Sequence, residues 1–410
     1  MQFTRLLRNA SVTAGEMASA AAERTALRVT GREMVFVQDT TELVMGGPKA
    51  RANGFGPVGK GGNLGGLLLH PVLAMDAVTG ALLGLVDLKI WNRDTGPAGP
   101  RRDRATADKE SQRWLDGAAQ AGRVLAAAAE ITGVSDRESD IFEYFARRPA
   151  NVQLIVRACQ NRRVQVGKSS ELLFAFIDDL SEQGRLAVTI PAAPGRKART
   201  AELAVRFSPV VLNKPVNNAA GDLPETVSLM LVDVRETSQP ESGEPVHWRL
   251  LTTHALTNLG QARRIIDLYR MRWVIEEFFR TLKTAGFNIE DADIGDPKPM
   301  TNLVAAATIA AVTVMQLVRA REGATGQSLA DAFDPVDQPV LEAISSQLEG
   351  KTARQQNPHP KGTLAFAAWV IARLGGWTGY YGKPGPKVMR IGLQEFRAIK
   401  YGSTLRLQNV

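Results

Sequence analysis

LLLHPVLAMDAVTGALLGLVDLKIW, residues 67–91, decides the fold. Apolar residues fill both sides of Val78-Thr79-Gly80, so the stretch predicts two buried strands joined by a turn. Upstream, MVFVQD (34–39) is a short apolar run that closes on a carboxylate, a buried strand with Asp39 at its C-terminal edge. Residues 12–28 are alanine-rich and helical, and the Gly-rich, basic stretch 46–66 predicts a flexible loop. Downstream, 109–131 predicts an amphipathic helix despite Gly117 and Gly122. ITGVSD then reads as a short strand ending in Asp136, DIFEYFARR as a helix, and VQLIVRA (152–158) as another strand. The order β-β-β-α-β-α-β predicts a mixed sheet covered by helices.

Residues 160–250 change character. RLAVTIP, AELAVRF, VSLMLVDV and HWRLLTT alternate apolar and polar residues between Pro, Gly and Asn breaks, which is all-β patterning. From 260 the chain reads as mainly helical, at 260–285, 300–321 and 364–374, with a further helix at 391–400. The expected organisation is a core in two parts, 1–159 and 256–325, interrupted by a β-rich subdomain at 160–255 and followed by a helical region at 326–410 that is the candidate dimerisation element.

Fifty Lys and Arg against 42 Asp and Glu give a formal charge of +8, which favours a polyanionic partner, nucleic acid first. Cys159 is the only cysteine, which excludes an intrachain disulfide and a Cys-based zinc site and fits a reducing cytoplasm. The four histidines show no close ligand spacing. The N-terminus lacks the apolar run of a signal peptide, and 303–318 is too short and Thr-interrupted to span a bilayer, so it reads as a buried helix and no membrane partner is expected.

YRMRWVIEEFFRTLK (269–283) carries the chemistry. Tyr269, Arg272, Glu276 and Lys283 are spaced to fall on one side of an α-helix, presenting a phenol, a guanidinium, a carboxylate and an ammonium together. Asp39 and Asp136 each end a strand; if those strands are neighbours, the two acids meet at one sheet edge, where ligands of open α/β sheets bind. Glu276 on a helix across that edge would add a third oxygen donor. Such a set suits Mg²⁺ or Mn²⁺, and two such ions can serve phosphodiester chemistry.

Together these blocks resemble bacterial DDE transposases of the insertion-sequence-four group, which includes the transposon-five transposase. The Tyr269, Arg272, Glu276 and Lys283 helix matches that group's Tyr-Arg-Glu-Lys motif, VQDTTEL (37–43) resembles its first-aspartate block, and GVSDRESDIFEYF (133–145) its second. KESQRWL, HWRLLTT and IARLGGW follow in the family's order. The resemblance implies a ribonuclease-H-like catalytic core with a β insertion, and metal binding and catalysis by Asp39, Asp136 and Glu276. It implies DNA contacts from Tyr269, Arg272, Lys283, Arg157 and Trp273, and Trp248 stacked on a flipped base. The implied activity is cut-and-paste DNA transposition on double-stranded element ends and target DNA, by a homodimer assembled on DNA. The family's N-terminal end-binding domain has no counterpart before FTRLLRNASVTAGEM, so an inhibitor acting through mixed dimers is the alternative implied role. Basic residues in loops (Lys49, Arg51, Lys60; Arg101, Arg102, Arg104; Arg162, Arg163, Lys168, Arg196, Lys197, Arg199) are further candidates for phosphate contact.

Overall fold

The computed structural model describes residues 2–46, 48–94, 109–167, 169–190, 198–215, 222–240 and 243–407. Two helices, α1 (Gln2–Arg8) and α2 (Ala14–Ala26), lead into β1 (Glu33–Gln38) and β2 (Thr41–Val44). The Gly-rich stretch expected to be a loop instead holds α3 (Pro48–Ala52) and β3 (Gly56–Val58), because β3 pairs with the long strand that follows. That strand is β4 (Leu64–Asp76), which turns into β5 (Leu82–Trp91). At the turn, the Asp76 carboxylate accepts from the Val78 and Thr79 amides, and Gly80 takes φ +70°, a value that favours glycine. Pro71, which lacks an N–H, sits where β4 changes partner from β2 to β1 on one side, and it stays opposite Leu88 of β5 on the other.

Next come α4 (Gln112–Val124), β6 (Glu130–Ser135), α5 (Phe142–Ala146) and β7 (Gln153–Arg157). The helix expected over 109–131 therefore ends at Val124, and Ile131 belongs to β6, where it is buried. The β-patterned segment supplies β8 (Arg163–Val166), β9 (Ser169–Leu172), β10 (Gly184–Ile190), β11 (Arg199–Asn213), β12 (Thr226–Glu236) and β13 (His247–Thr252). It also holds one helix, α6 (Leu173–Asp179), whose Leu173, Phe176 and Ile177 are buried; the all-β expectation missed this short apolar turn. Among the described residues all thirteen strands form one mixed sheet, ordered β2-β4-β1-β6-β7-β13-β12-β11-β8-β9, with β3 and β5 on β4 and β10 on β11. The β-rich segment thus extends the core sheet through the β7–β13 pair.

The C-terminal third is helical: α7 (Leu259–Arg270), α8 (Trp273–Arg280), α9 (Pro297–Ala320), α10 (Asp337–Leu348), α11 (Leu364–Leu374) and α12 (Pro386–Leu407). The sequence reading had no helix at α10. α9 is long and apolar enough to cross a membrane, but 61% of its most apolar window is buried within the protein, which is the behaviour of a core helix.

Alternation along β1 splits the core. Val35 and Val37 face a layer containing α7, α8 and α9, whereas Met34 and Phe36 face α4 and α5. On β6, Val134 shares the first face. α4 comes close to the sheet at Gly117, where a Cβ would stand 2.2 Å from Gln38 Oε1. β6 fits beside β1 through Gly133, whose Cβ would lie 2.3 Å from the Phe36 ring. We expect Gly133→Ala to cost about 1–3 kcal/mol through overpacking, read as a lower urea midpoint. Combining it with Phe36→Leu should restore part of the loss; an unchanged midpoint in the single variant would contradict this packing.

Candidate active site

β1 and β6 run parallel in register, with Val37 opposite Val134. Two residues further on, that register sets Asp39 opposite Asp136. Both continue the side-chain face of Val37 and Val134, which is the face covered by α7 and α8. The condition set by the sequence, that the two strands be neighbours, is met.

α8 brings Glu276 to the same place through one cation. Arg272, with its side chain only 7% exposed, donates to Glu276 Oε1 at 2.7 Å and lies 3.9 Å from Asp39 Oδ2. Burial would lower the guanidinium's proton affinity, but the surrounding Tyr269, Asp136 and Glu276 overcome this and hold it fully charged, above its usual value. Three acids from β1, β6 and α8 thus surround one buried cation. Asp136 Oδ1 is buried without a hydrogen-bond partner, and the Glu276 side chain is 58% exposed. Among the described residues, no three acidic, histidine or cysteine side chains lie within reach of a single ion. The donor chemistry nevertheless fits a hard divalent cation: three carboxylates, one of them with an orphaned oxygen.

The Tyr269–Lys283 segment departs from the expected single helix. α7 ends at Arg270, and the amides of Met271, Arg272, Val274 and Ile275 bond three residues back, which tightens the backbone. Residues Thr281–Ala285 then widen into a π turn. Tyr269, Arg272 and Glu276 still share one neighbourhood, and Lys283 lies within the π turn. Its ammonium donates to the Glu42 carbonyl and pairs with Glu290 at 3.4 Å, so it ties the π turn to β2. Tyr269 is buried with its hydroxyl unpaired, and burial raises its pKa.

Beside this centre lies a groove of about 550 Å³, lined by Arg137, Arg157, Arg249, Trp248 and Trp273. Trp248 is buried, its ring edge-on to Tyr269 at 5.6 Å and to Trp273 at 6.1 Å; Trp273 is the more accessible of the two. Arg157 donates to the His247 carbonyl at 3.1 Å, and Arg249 lies over the Phe174 ring at 4.1 Å. Arg137 and Arg249 were not singled out by the sequence; adjacency to Asp136 and Trp248 was the available signal.

The opposite face holds a polar chain that sequence reading also missed. Arg113 of α4 donates to Thr40 Oγ1 at 2.6 Å and to Glu138 at 2.6 Å, bracing the residues that follow β1 and β6. Since Thr40 accepts from Arg113, its hydroxyl donates to His70 Nδ1 at 2.9 Å, and His70 Nε2–H donates to Gln38 Oε1 at 3.2 Å. Burial keeps His70 neutral, in agreement with that pattern. Gln38 Nε2 closes the chain by donating to Tyr144 Oη at 2.7 Å. A charged residue beside Trp114 on the buried stripe of α4 was the sequence signal for Arg113.

Asp140 is structural: it accepts from the Cys159 and Gln160 amides and pairs with Arg162. Arg162 and Arg199, expected at phosphates, are instead paired with the buried Asp140 and Glu236. Arg101, Arg102, Arg104, Lys168, Arg196 and Lys197 lie outside the described residues, as does the side chain of Lys49.

Burial raises Asp39 to a pKa of about 6, with the Thr40 amide and Arg272 opposing the shift. A carboxyl raised in the folded state binds its proton more tightly than in the unfolded chain, so stability falls as pH rises from about 4 to about 6 and is level above. Asp39→Asn should therefore match the parent below pH 4 and be more stable above pH 6 by up to about 3 kcal/mol in metal-free buffer. Urea titrations across that range test this, and parallel pH profiles would rule it out.

A family model described as Transposase DDE domain matches residues 100–312, just over half of the chain. The match includes Asp136, Arg272 and Glu276 but begins after Asp39, so the first strand-end acid is placed at the centre by the β1–β6 pairing and its approach to Arg272.

Proposed function

Given that the chain belongs to the DDE transposase family, we propose that it cleaves DNA at the ends of a transposable element and transfers the freed strand to target DNA, in a cut-and-paste reaction. The substrate class follows from the family, and the basic charge of +8 suits it. The reading that Asp39, Asp136 and Glu276 are the catalytic carboxylates rests on one observation above others: acids from β1, β6 and α8 gather about the single guanidinium of Arg272. The proposed core is ribonuclease-H-like, and region 326–410 is assigned to dimerisation on DNA.

These three acids would hold Mg²⁺ or Mn²⁺, one or two ions, which would neutralise phosphate charge and acidify a water. Arg272 keeps the acids in one neighbourhood and presents a forked cation to a phosphate oxygen at that edge. The groove beside the centre offers Arg157 and Arg137 to the backbone. Trp273, with Trp248 behind it, gives a flat apolar surface for an unstacked base.

The test is nicking of DNA bearing candidate element ends, with Mg²⁺ or Mn²⁺, by the purified chain. Glu276→Gln and Asp136→Asn should each slow nicking by more than about 100-fold, since even indirect supports of metal ligands can matter that much. Both variants should retain DNA binding in a mobility-shift assay. Nicking that persists in either variant would falsify the assignment of those acids.

A further inference from the structure

A second cationic site lies away from the candidate active centre. Arg24 on α2, Arg28 just beyond it, and Arg397 and Lys400 on α12 line a hollow of about 210 Å³. Two acids, Asp334 and Asp337, share it, so the hollow holds two more positive than negative groups. Its floor is apolar: Phe333 and Phe396 meet edge-on at 5.7 Å beside Leu85 of β5. A neighbouring hollow of about 500 Å³ shares Arg24, Arg28 and Asp334 and adds Arg32 with its partner Asp331, so the two adjoin in one groove.

Of these cations, Arg24 and Arg397 are not accounted for by internal pairing, whereas Arg32 pairs with Asp76 and Asp331, each at 3.4 Å. Arg28 donates to the Leu83 carbonyl, and Lys400 pairs with Asp337 at 2.5 Å. Among the described residues, Arg24 and Arg397 make no ion pair or hydrogen bond. Burial, and then repulsion from Arg24, lowers the Arg397 pKa, while Asp337 opposes the shift. Folding thus holds guanidiniums against one another over an apolar floor, an arrangement that costs stability unless an anion arrives. Arg32 precedes β1 and Asp39 follows it, so the length of that strand separates the near end of the groove from the catalytic edge by about 20 Å.

We propose that this groove binds phosphate, with Arg24 and Arg397 as the principal donors. The two adjoining hollows suit the sugar–phosphate backbone of a DNA strand held apart from the cleavage centre; a free polyphosphate anion presents the same chemistry. The DNA source rests on the transposase reading, whereas the phosphate chemistry does not.

The experiment compares the 410-residue chain with Arg24→Gln/Arg397→Gln and with the charge-preserving Arg24→Lys/Arg397→Lys. One arm measures thermal stabilisation and affinity with pyrophosphate. The other measures the salt dependence of affinity for a mixed-sequence DNA duplex by fluorescence anisotropy. Loss of two phosphate contacts should lower the slope of log K against log salt by about 1.8. Pyrophosphate affinity should fall about tenfold or more. The lysine pair should keep most of both effects. A change confined to the DNA arm supports a strand as the ligand, and one confined to pyrophosphate supports a free anion. If the folded glutamine pair matches the parent in both arms, the proposal is overturned. Should the parent chain not bind DNA at all, the functional reading fails while the pyrophosphate arm still decides the groove.

Discussion

Parallel pairing of β1 with β6 is the constraint on which the site depends. It sets Asp39 beside Asp136 across one strand spacing, about 4.8 Å. The Asp136 charge opposes ionisation of Asp39, though less than burial does. The fold answers this locally. Burial leaves Asp39 protonated part of the time, and the Arg272 guanidinium stands among the acids. Removing one carboxylate would relieve repulsion, whereas removing the buried cation would leave several negative groups uncompensated. The site is therefore electrostatically tense on the acid side and satisfied only through α8.

The two faces of the sheet share the work of holding those strand ends. On one face, Arg272, just before α8, supplies the cation, and α8 supplies Glu276. On the other, the chain from Tyr144 through Gln38, His70 and Thr40 to Arg113 and Glu138 braces the residues just past β1 and β6. Every member of that chain has a partner, and a fully satisfied buried network rigidifies what it touches. Positioning of the acids follows from packing on both sides together with the Thr40 amide on Asp39 and Arg272 on Glu276, while an oxygen of Asp136 is left open.

The β-rich segment contributes by continuity. Because β13 pairs with β7, Trp248 and Arg249 stand next to Arg157 and within reach of Trp273 on α8. The aromatic, cationic groove exists only at that seam. The second cationic groove likewise forms where distant segments meet, α2 near the start of the chain and α12 near its end.

The primary structure by itself determined the layered mixed α/β architecture, the two strands that end in aspartate, and the segment carrying Tyr269, Arg272 and Glu276. Local periodicity and strand-end residue types encode those features, and they depend on neighbours a few positions away. Tertiary structure alone decided that β1 lies beside β6 in the register that matches Asp39 to Asp136, that Lys283, in a π turn, bonds Glu42 and Glu290, and that Arg272 balances the acids. It also decided that Arg162 and Arg199 serve buried carboxylates inside the protein. Long-range pairing and burial set these outcomes. A charged side chain looks the same in a sequence whether it will face water, a phosphate or a buried acid; only the packed neighbours determine which.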